Sequence, residues 1–160
     1  MTTVLCGLPP IIDTAASTLI LGSFPSEASL TARQYYGHRQ NQFWRLLGAL
    51  LDEPLAEMDY PTRQTALRRA GIAVWDVYAS CERSGSLDSA IRGALANDFR
   101  KLKKFAPDLR RICFNGRAAA RFERHCVELG YQTRVLPSSS PAYTLAFEKK
   151  LAAWRAVLGK

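Results

Sequence analysis

The sequence predicts an α/β fold built on a short parallel sheet of four strands sandwiched between helices. Three observations carry that reading. Four short segments read as strands along the chain, at residues 18–21, 72–77, 111–114 and 133–136. Helical patterns separate them, as crossovers between parallel strands require. Each also gives way to a polar, irregular stretch, at Gly22, Ala79, Asn115 and Pro137.

Taken in order, residues 1–16 read as an irregular lead-in around Pro9-Pro10, with Ile11 and Ile12 packed down. Thr18-Leu19-Ile20-Leu21 is a continuous apolar run, the mark of a parallel strand covered on both faces. Residues 22–44 then hold paired tyrosines, a histidine, amides and an arginine, with the period of neither helix nor strand. From Asn41 a helix follows, with Trp44, Leu47 and Leu51 on one face, and Pro54 stops it. Thr62 caps a short helix to Ala70, which Gly71 ends. After the second strand, residues 79–88 read as a polar connection. Asn97-Asp98 cap a helix to Lys104, and Pro107 bars its continuation. Residues 117–129 read as one helix closed by Gly130. The fourth strand runs into Pro137-Ser138-Ser139-Ser140-Pro141, and a final helix over 145–158 aligns Phe147, Leu151, Trp154 and Leu158.

With 160 residues, 48% of them hydrophobic, one domain over residues 1–160 with a real core is expected. No run approaches the roughly 20 apolar residues of a membrane span, and no basic-then-apolar leader opens the chain. The expectation is a cytoplasmic, nucleoid-associated protein with no membrane contact. The net charge of +8, from 22 basic and 14 acidic residues, favours polyanionic partners, and arginine's planar fork matches phosphate oxygens. Cys6, Cys81, Cys113 and Cys126 are scattered without a C-x-x-C pair, so disulfide, zinc and iron–sulfur readings are poor.

The carboxyl ends of parallel strands share one edge, so the segments that follow the four strands converge there. They bring Ser23, Ser26, Tyr35, Tyr36, His38, Asn41, Asp76, Ser80, Asn115 and Ser138–Ser140 to that edge. Gly22-Ser23-Phe24-Pro25 is no nucleophile elbow of G-x-S-x-G form, and neither a G-x-x-x-x-G-K-[ST] phosphate loop nor a G-x-G-x-x-G fingerprint occurs. The set suits a planar, polar ring instead. Aromatics stack on its face, amides hydrogen-bond its edge, and hydroxyls and backbone amides grip flanking phosphates. That is the pocket of an enzyme acting on a base rotated out of DNA.

Gly22-Ser23-Phe24-Pro25-Ser26, Tyr35-Tyr36-Gly37-His38, Asn41-Gln42-Phe43-Trp44, Trp75-Asp76-Val77, Gly85-Ser86-Leu87-Asp88, Phe114-Asn115-Gly116 and Leu136-Pro137-Ser138-Ser139-Ser140-Pro141 together resemble the hypoxanthine-DNA glycosylases, the sixth family of the uracil-DNA glycosylase superfamily. Each motif alone is weak; in order and in register they span nearly the whole chain. The resemblance implies a three-layer α/β/α sandwich with a short four-stranded parallel sheet. It implies no metal and no cofactor, a monomer, DNA containing deaminated bases as partner, and a monofunctional glycosylase removing hypoxanthine, with uracil and xanthine as further candidates.

Residue by residue, Asn41 matches the catalytic asparagine of the family's N-x-F-W motif. Tyr36 falls where an aromatic stacks on the extruded base, and Asn115 matches the amide that reads its edge. Gly22, Ser23 and Phe24, with Pro25 and Ser26, match the first motif, lining the pocket near the scissile bond. Ser138, Ser139, Ser140 and Pro141 match the loop that presses on the DNA backbone, and Arg39 and Arg117 are the basic residues nearest the pocket for phosphate contact. Two positions depart from the family's pattern: Arg39 stands where proline usually follows the histidine, and Tyr143 where asparagine usually sits.

Breaking an N-glycosidic bond builds positive charge on the sugar and negative charge on the base. A carboxylate stabilises that cation strongly, whereas an amide such as Asn41 orients water and offers a dipole. The leaving group must carry more of the burden, which suits hypoxanthine or uracil and excludes unmodified adenine. Each site residue also has a structural reading. Asn41 is a good N-cap, Asn115-Gly116 an ordinary turn, Tyr36 a core aromatic, His38 a loop histidine, and Asp76 a strand-end cap or an organiser of water. The alternatives are a mismatch-specific uracil or thymine glycosylase on the same fold, a noncatalytic nucleic-acid-binding domain, and a small-molecule hydrolase.

Overall fold

The computed structural model describes residues 3–159. Strand β1 (Val4–Cys6) leads to β2 (Thr18–Gly22), then helices α1 (Glu27–Ala32), α2 (Phe43–Leu51) and α3 (Tyr60–Arg69). Next come β3 (Ile72–Asp76), β4 (Tyr78–Glu82), β5 (Arg92–Ala96), α4 (Leu102–Phe105), β6 (Arg111–Asn115), α5 (Arg117–Ala120), α6 (Glu123–Glu128), β7 (Gln132–Leu136) and α7 (Phe147–Leu158). The four expected strands form one parallel sheet in the order β3-β2-β6-β7.

The sheet is parallel because both its faces are dry. All five residues of β2 and of β3 are buried, and alternate residues feed two separate cores. Ile20, Val74 and Cys113 pack on one face with Phe43, Trp44, Leu47, Leu67 and Trp154 of α2, α3 and α7. Leu19, Leu21, Trp75, Ile112 and Phe114 pack on the other with Phe99, Leu102, Ala119 and Cys126. The result is three layers, helix–sheet–helix. Among the described residues no helix is long and apolar enough to cross a membrane.

The structure corrects several expectations about elements. The connection at residues 79–88 contains strand β4, which pairs antiparallel with β1 and β5 in a second, three-stranded sheet. Helix α3 is capped by Asp59, whose carboxylate accepts from the Thr62 N–H at 2.9 Å, so Thr62 lies inside the helix it was expected to cap. Residues 117–129 are two helices, because Phe122 turns in against Tyr78 and Phe99, at ring distances of 5.5 and 6.2 Å. Helix α2 starts at Phe43, two residues beyond Asn41, and ends where Asp52 takes a left-handed conformation (φ 55°), before Pro54.

Candidate active site

The strand register fixes the floor of the site. Gly22 pairs with Asp76 at the ends of β2 and β3, and Asn115 pairs with Leu136 at the ends of β6 and β7. A cavity of about 310 Å³ opens over these ends. Gly22, Ser23, Phe24, Tyr36, Asn41, Asn115 and Ser138–Ser140 line it, as do His38 and Asp76. Pro141, Arg39 and Arg117 do not. Arg39 is exposed between the lining residues His38 and Asn41, while Arg117 is exposed at the start of α5 beside a shallower hollow shared with Ser138 and Tyr143. Ser80 lies in β4, away from the cavity lining.

A chain of hydrogen bonds through Ser139, which is fully buried, organises one wall. The Ser139 N–H donates to Asn115 Oδ1 at 2.9 Å, which identifies that atom of the amide as the oxygen. Asn115 Nδ2 therefore donates to Ser139 Oγ at 2.9 Å, and Ser139 Oγ passes its own hydrogen to Asn41 Oδ1 at 2.8 Å. The Phe43 N–H donates to the same Asn41 oxygen at 3.0 Å. Both lone pairs of Asn41 Oδ1 are thus engaged, and among the described residues no hydrogen bond takes its Nδ2 donors. Asn41 is not the N-cap of α2, which is Gln42; it bonds the first N–H of the helix from one residue earlier and lines the cavity as well.

The serine loop owes its position to two further contacts. The Gln42 N–H donates to the Ser139 carbonyl at 3.0 Å. Lys150, 1% exposed, donates from Nζ to Gln42 Oε1 at 2.9 Å and to the Ser140 carbonyl at 3.1 Å. Burial pulls the Lys150 pKa below its ordinary value. Gly116 holds φ 95°, and a Cβ there would stand 3.0 Å from Ser138 Cβ, so only glycine lets the turn after β6 pass under the loop.

Tyr36 is held in a left-handed conformation (φ 53°) that a non-glycine residue adopts at a cost. Its neighbours are pinned on every side. The Tyr35 N–H donates to Tyr60 Oη, the Tyr35 hydroxyl to the Leu8 and Pro9 carbonyls, and the Gly37 N–H to Ser29 Oγ. Trp44 Nε1 donates to the Tyr35 carbonyl at 2.9 Å, which couples the N-x-F-W segment to the tyrosine pair. Phe43 stacks on the Tyr36 ring at 3.9 Å and 18°. The Tyr36 hydroxyl is buried without a partner, and burial, with the nearby Asp76 charge, raises its pKa.

A strap over residues 84–89 forms the opposite wall. Arg83, 7% exposed, donates from Nε to the Gly85 carbonyl at 2.9 Å and from Nη2 to the Pro25 carbonyl, with its guanidinium over the Phe24 ring. Ser23 Oγ donates to Asp88 Oδ1 at 2.5 Å, the Glu27 N–H to Ser86 Oγ, and the Gly85 N–H to Glu27 Oε1. Arg83 and Lys150 were not anticipated. A charged side chain that turns inward leaves no mark in a sequence where charges are ordinary surface residues. Asp76 is 4% exposed, and burial, reinforced by Asp88 against the pull of Arg83, raises its pKa to about 7. Among the described residues no group of His, Cys, Asp and Glu is arranged to hold a metal.

Comparison with known proteins adds a family. The model of the uracil DNA glycosylase superfamily matches residues 9–158. A protein of Methanosarcina acetivorans named hypoxanthine DNA glycosylase is 43% identical over 151 residues, 94% of this chain and 96% of its own. A Methanosarcina barkeri protein of the same name is 40% identical over 148 residues, 92% and 94% of the two chains. A solution NMR structure from Methanosarcina acetivorans, classed with the uracil DNA glycosylases, superposes with a TM-score of 0.89 at 42% identity, covering 98% of this chain and 97% of that one.

Proposed function

The chain belongs to the uracil DNA glycosylase superfamily, and from that premise we propose that it removes hypoxanthine from DNA by hydrolysing the bond between the base and its deoxyribose. It is a DNA glycosylase, its substrate is DNA, and its product is an abasic site for base excision repair. The relatives named for this activity match along nearly their whole length, so a noncatalytic domain is not favoured. Uracil and xanthine are further candidate bases.

The observation that carries the mechanism is the bond chain Asn115–Ser139–Asn41. The extruded base enters the cavity against Tyr36, whose ring Phe43 supports from behind. Asn115 keeps one amide hydrogen and one lone pair free of Ser139 for the base edge. Asn41 donates from Nδ2 toward the charge that builds as the bond breaks. A donor aimed at developing charge contributes about 2.7–4 kcal/mol to the transition state. This refines the expected role of Asn41: with both oxygen lone pairs taken, it acts as a donor to the departing base or to the attacking water's oxygen, not as an acceptor of the water's proton.

The backbone of Ser138–Ser140 and Pro141 presses on the DNA strand, and Arg39 and Arg117 meet phosphates on either side of the cavity. No lysine among the described residues lines the cavity, and Lys150 Nζ is spent on Gln42 and Ser140. A monofunctional enzyme without a Schiff-base lyase step follows. The enzyme is read as a monomer at work on the nucleoid in the cytoplasm. Labelled duplexes carrying a single inosine, uracil or xanthine test the reading: alkali-sensitive strand cleavage after incubation is expected at inosine, and intact strands for all three would overturn it.

A further inference from the structure

We propose that Asp76 acts on the base as a neutral carboxylic acid, donating a hydrogen bond to a ring carbonyl of the extruded base and holding the negative charge that the base acquires on leaving. The inference rests on the glycosylase reading above and assigns a residue which that reading does not use.

The space over Gly22 is closed to a side chain. A Cβ built at Gly22 would lie 2.6 Å from Asp76 Oδ1 and 2.8 Å from the Tyr36 hydroxyl. The two oxygens therefore flank a slot in the cavity floor that no side chain at position 22 can share with them. The Tyr36 hydroxyl and the other oxygen of the same carboxyl, Asp76 Oδ2, are buried without a hydrogen bond within the protein. Among the described residues only four buried side-chain nitrogen or oxygen atoms lack a partner, and two of these are the Tyr36 hydroxyl and Asp76 Oδ2. Buried polar atoms are almost always satisfied, and leaving one unmatched costs about 1–3 kcal/mol. Two orphans on the floor of one cavity mark a place where a polar edge arrives from outside.

That edge is the base's. The cavity is lined by Asn41, Asn115 and Tyr36 above the same floor, so a ring held by them presents its polar rim to the slot. The chemistry then selects the protonation state. As the bond to the sugar breaks, its electron pair leaves with the base. Water supplies the oxygen that bonds to the sugar carbon, and a proton of that water ends on the base. An ionised carboxylate on the rim repels the accumulating charge, whereas a carboxylic acid binds it more tightly as it grows. The same O–H faces an amino hydrogen in adenine where it meets a carbonyl in hypoxanthine, so the contact also discriminates the damaged base from the normal one.

The surroundings hold Asp76 in the required form. Desolvation is the main cause, and the exposed Asp88 of the strap adds like charge, against Arg83 at the end of β4. Tyr36 and Tyr35 from the preceding loop and Tyr60 of α3 lie within its field. Asn97 donates to the Asp76 backbone carbonyl and leaves the carboxyl free. His38 also lines the cavity.

Single-turnover excision of inosine from a duplex, followed from pH 5.5 to 8.5, tests the proposal with wild-type protein, Asp76→Asn, Asp76→Ala and His38→Gln. The wild-type rate is expected to fall about tenfold per pH unit above the Asp76 pKa. Asp76→Asn, which keeps a donor that does not titrate, should stay within about tenfold of the wild-type plateau and lose the fall. Asp76→Ala should lose roughly 10²–10³-fold at every pH, and His38→Gln should keep the fall. A flat wild-type profile, or Asp76→Ala within threefold of wild type, overturns the proposal. So does an Asp76→Asn that melts normally yet retains the wild-type pH dependence. If Asp76→Ala fails to fold, the wild-type and Asp76→Asn profiles decide alone. Wild-type protein inert on inosine, uracil and xanthine is a different result: it removes the glycosylase reading itself.

Discussion

Ser139 Oγ donates a 2.8 Å hydrogen bond to Asn41 Oδ1 and joins two loops that stand 98 residues apart in the chain. The bond fixes which end of the Asn41 amide faces the cavity, because the Phe43 N–H takes the other lone pair of the same oxygen. The serine that looks least distinctive in the sequence, the middle one of three, therefore sets the orientation of the Asn41 amide at the cavity.

Removing that hydroxyl should loosen the amide without touching the base. Ser139→Ala is expected to slow inosine excision roughly 10- to 100-fold, the scale of a small misplacement in a reacting geometry. It should also cost about 1–3 kcal/mol in denaturant unfolding, since the group makes two buried hydrogen bonds. Excision at the wild-type rate would show that Asn41 does not depend on it.

The raised pKa of Asp76 also has a stability consequence. A carboxyl whose proton is held more tightly in the folded state favours the fold at low pH and loses that contribution as pH rises from about 4 to about 7. At about 1.36 kcal/mol for each tenfold change in proton affinity, the penalty above neutral pH is on the order of 4 kcal/mol. Asp76→Asn should therefore melt at a higher temperature than wild type at pH 8, with the gap closing toward pH 4. Calorimetric melts across that range check it, and a gap that does not change with pH would contradict it.

Arg39 and Arg117 are assigned to phosphates, so their loss should weaken all DNA alike. Each alanine substitution is expected to lower affinity for inosine-containing and undamaged duplexes by a similar factor. Each should also reduce the slope of log K against log salt by about 0.9. Binding titrations from about 50 to 200 mM salt measure both quantities; an unchanged slope would remove the residue from the interface.

The centre of the parallel sheet was legible because β2 and β3 are buried along their whole length: residues 18–21 and 72–77 are dominated by apolar side chains, and no helix pattern competes for them. The second sheet was not. Strand β4 reads Tyr-Ala-Ser-Cys-Glu and is half-buried, while β5 reads Arg-Gly-Ala-Leu-Ala and is largely exposed, so neither shows alternation. The wall made by Gly22, Tyr36, Asn41, Asn115 and Ser138–Ser140 was legible from their places after strands and before a helix. The groups that hold that wall were hidden. Lys150 sits in Glu-Lys-Lys-Leu on α7, where nothing distinguishes the lysine that turns inward from the exposed one beside it. Arg83 likewise precedes an ordinary Ser-Gly turn, and only the tertiary fold brings the Pro25 carbonyl to it.

The central claim is that Asn41 works as a hydrogen-bond donor in a glycosylase, and Asn41→Asp tests it most directly beside Asn41→Ala. Aspartate keeps the shape and the acceptors but removes the donors. In single-turnover excision of inosine, both variants should fall about 10²–10³-fold below wild type while binding the duplex within a few-fold of it. An Asn41→Asp enzyme that matches or exceeds the wild-type rate would show that position 41 serves as an acceptor for water, and would contradict the mechanism.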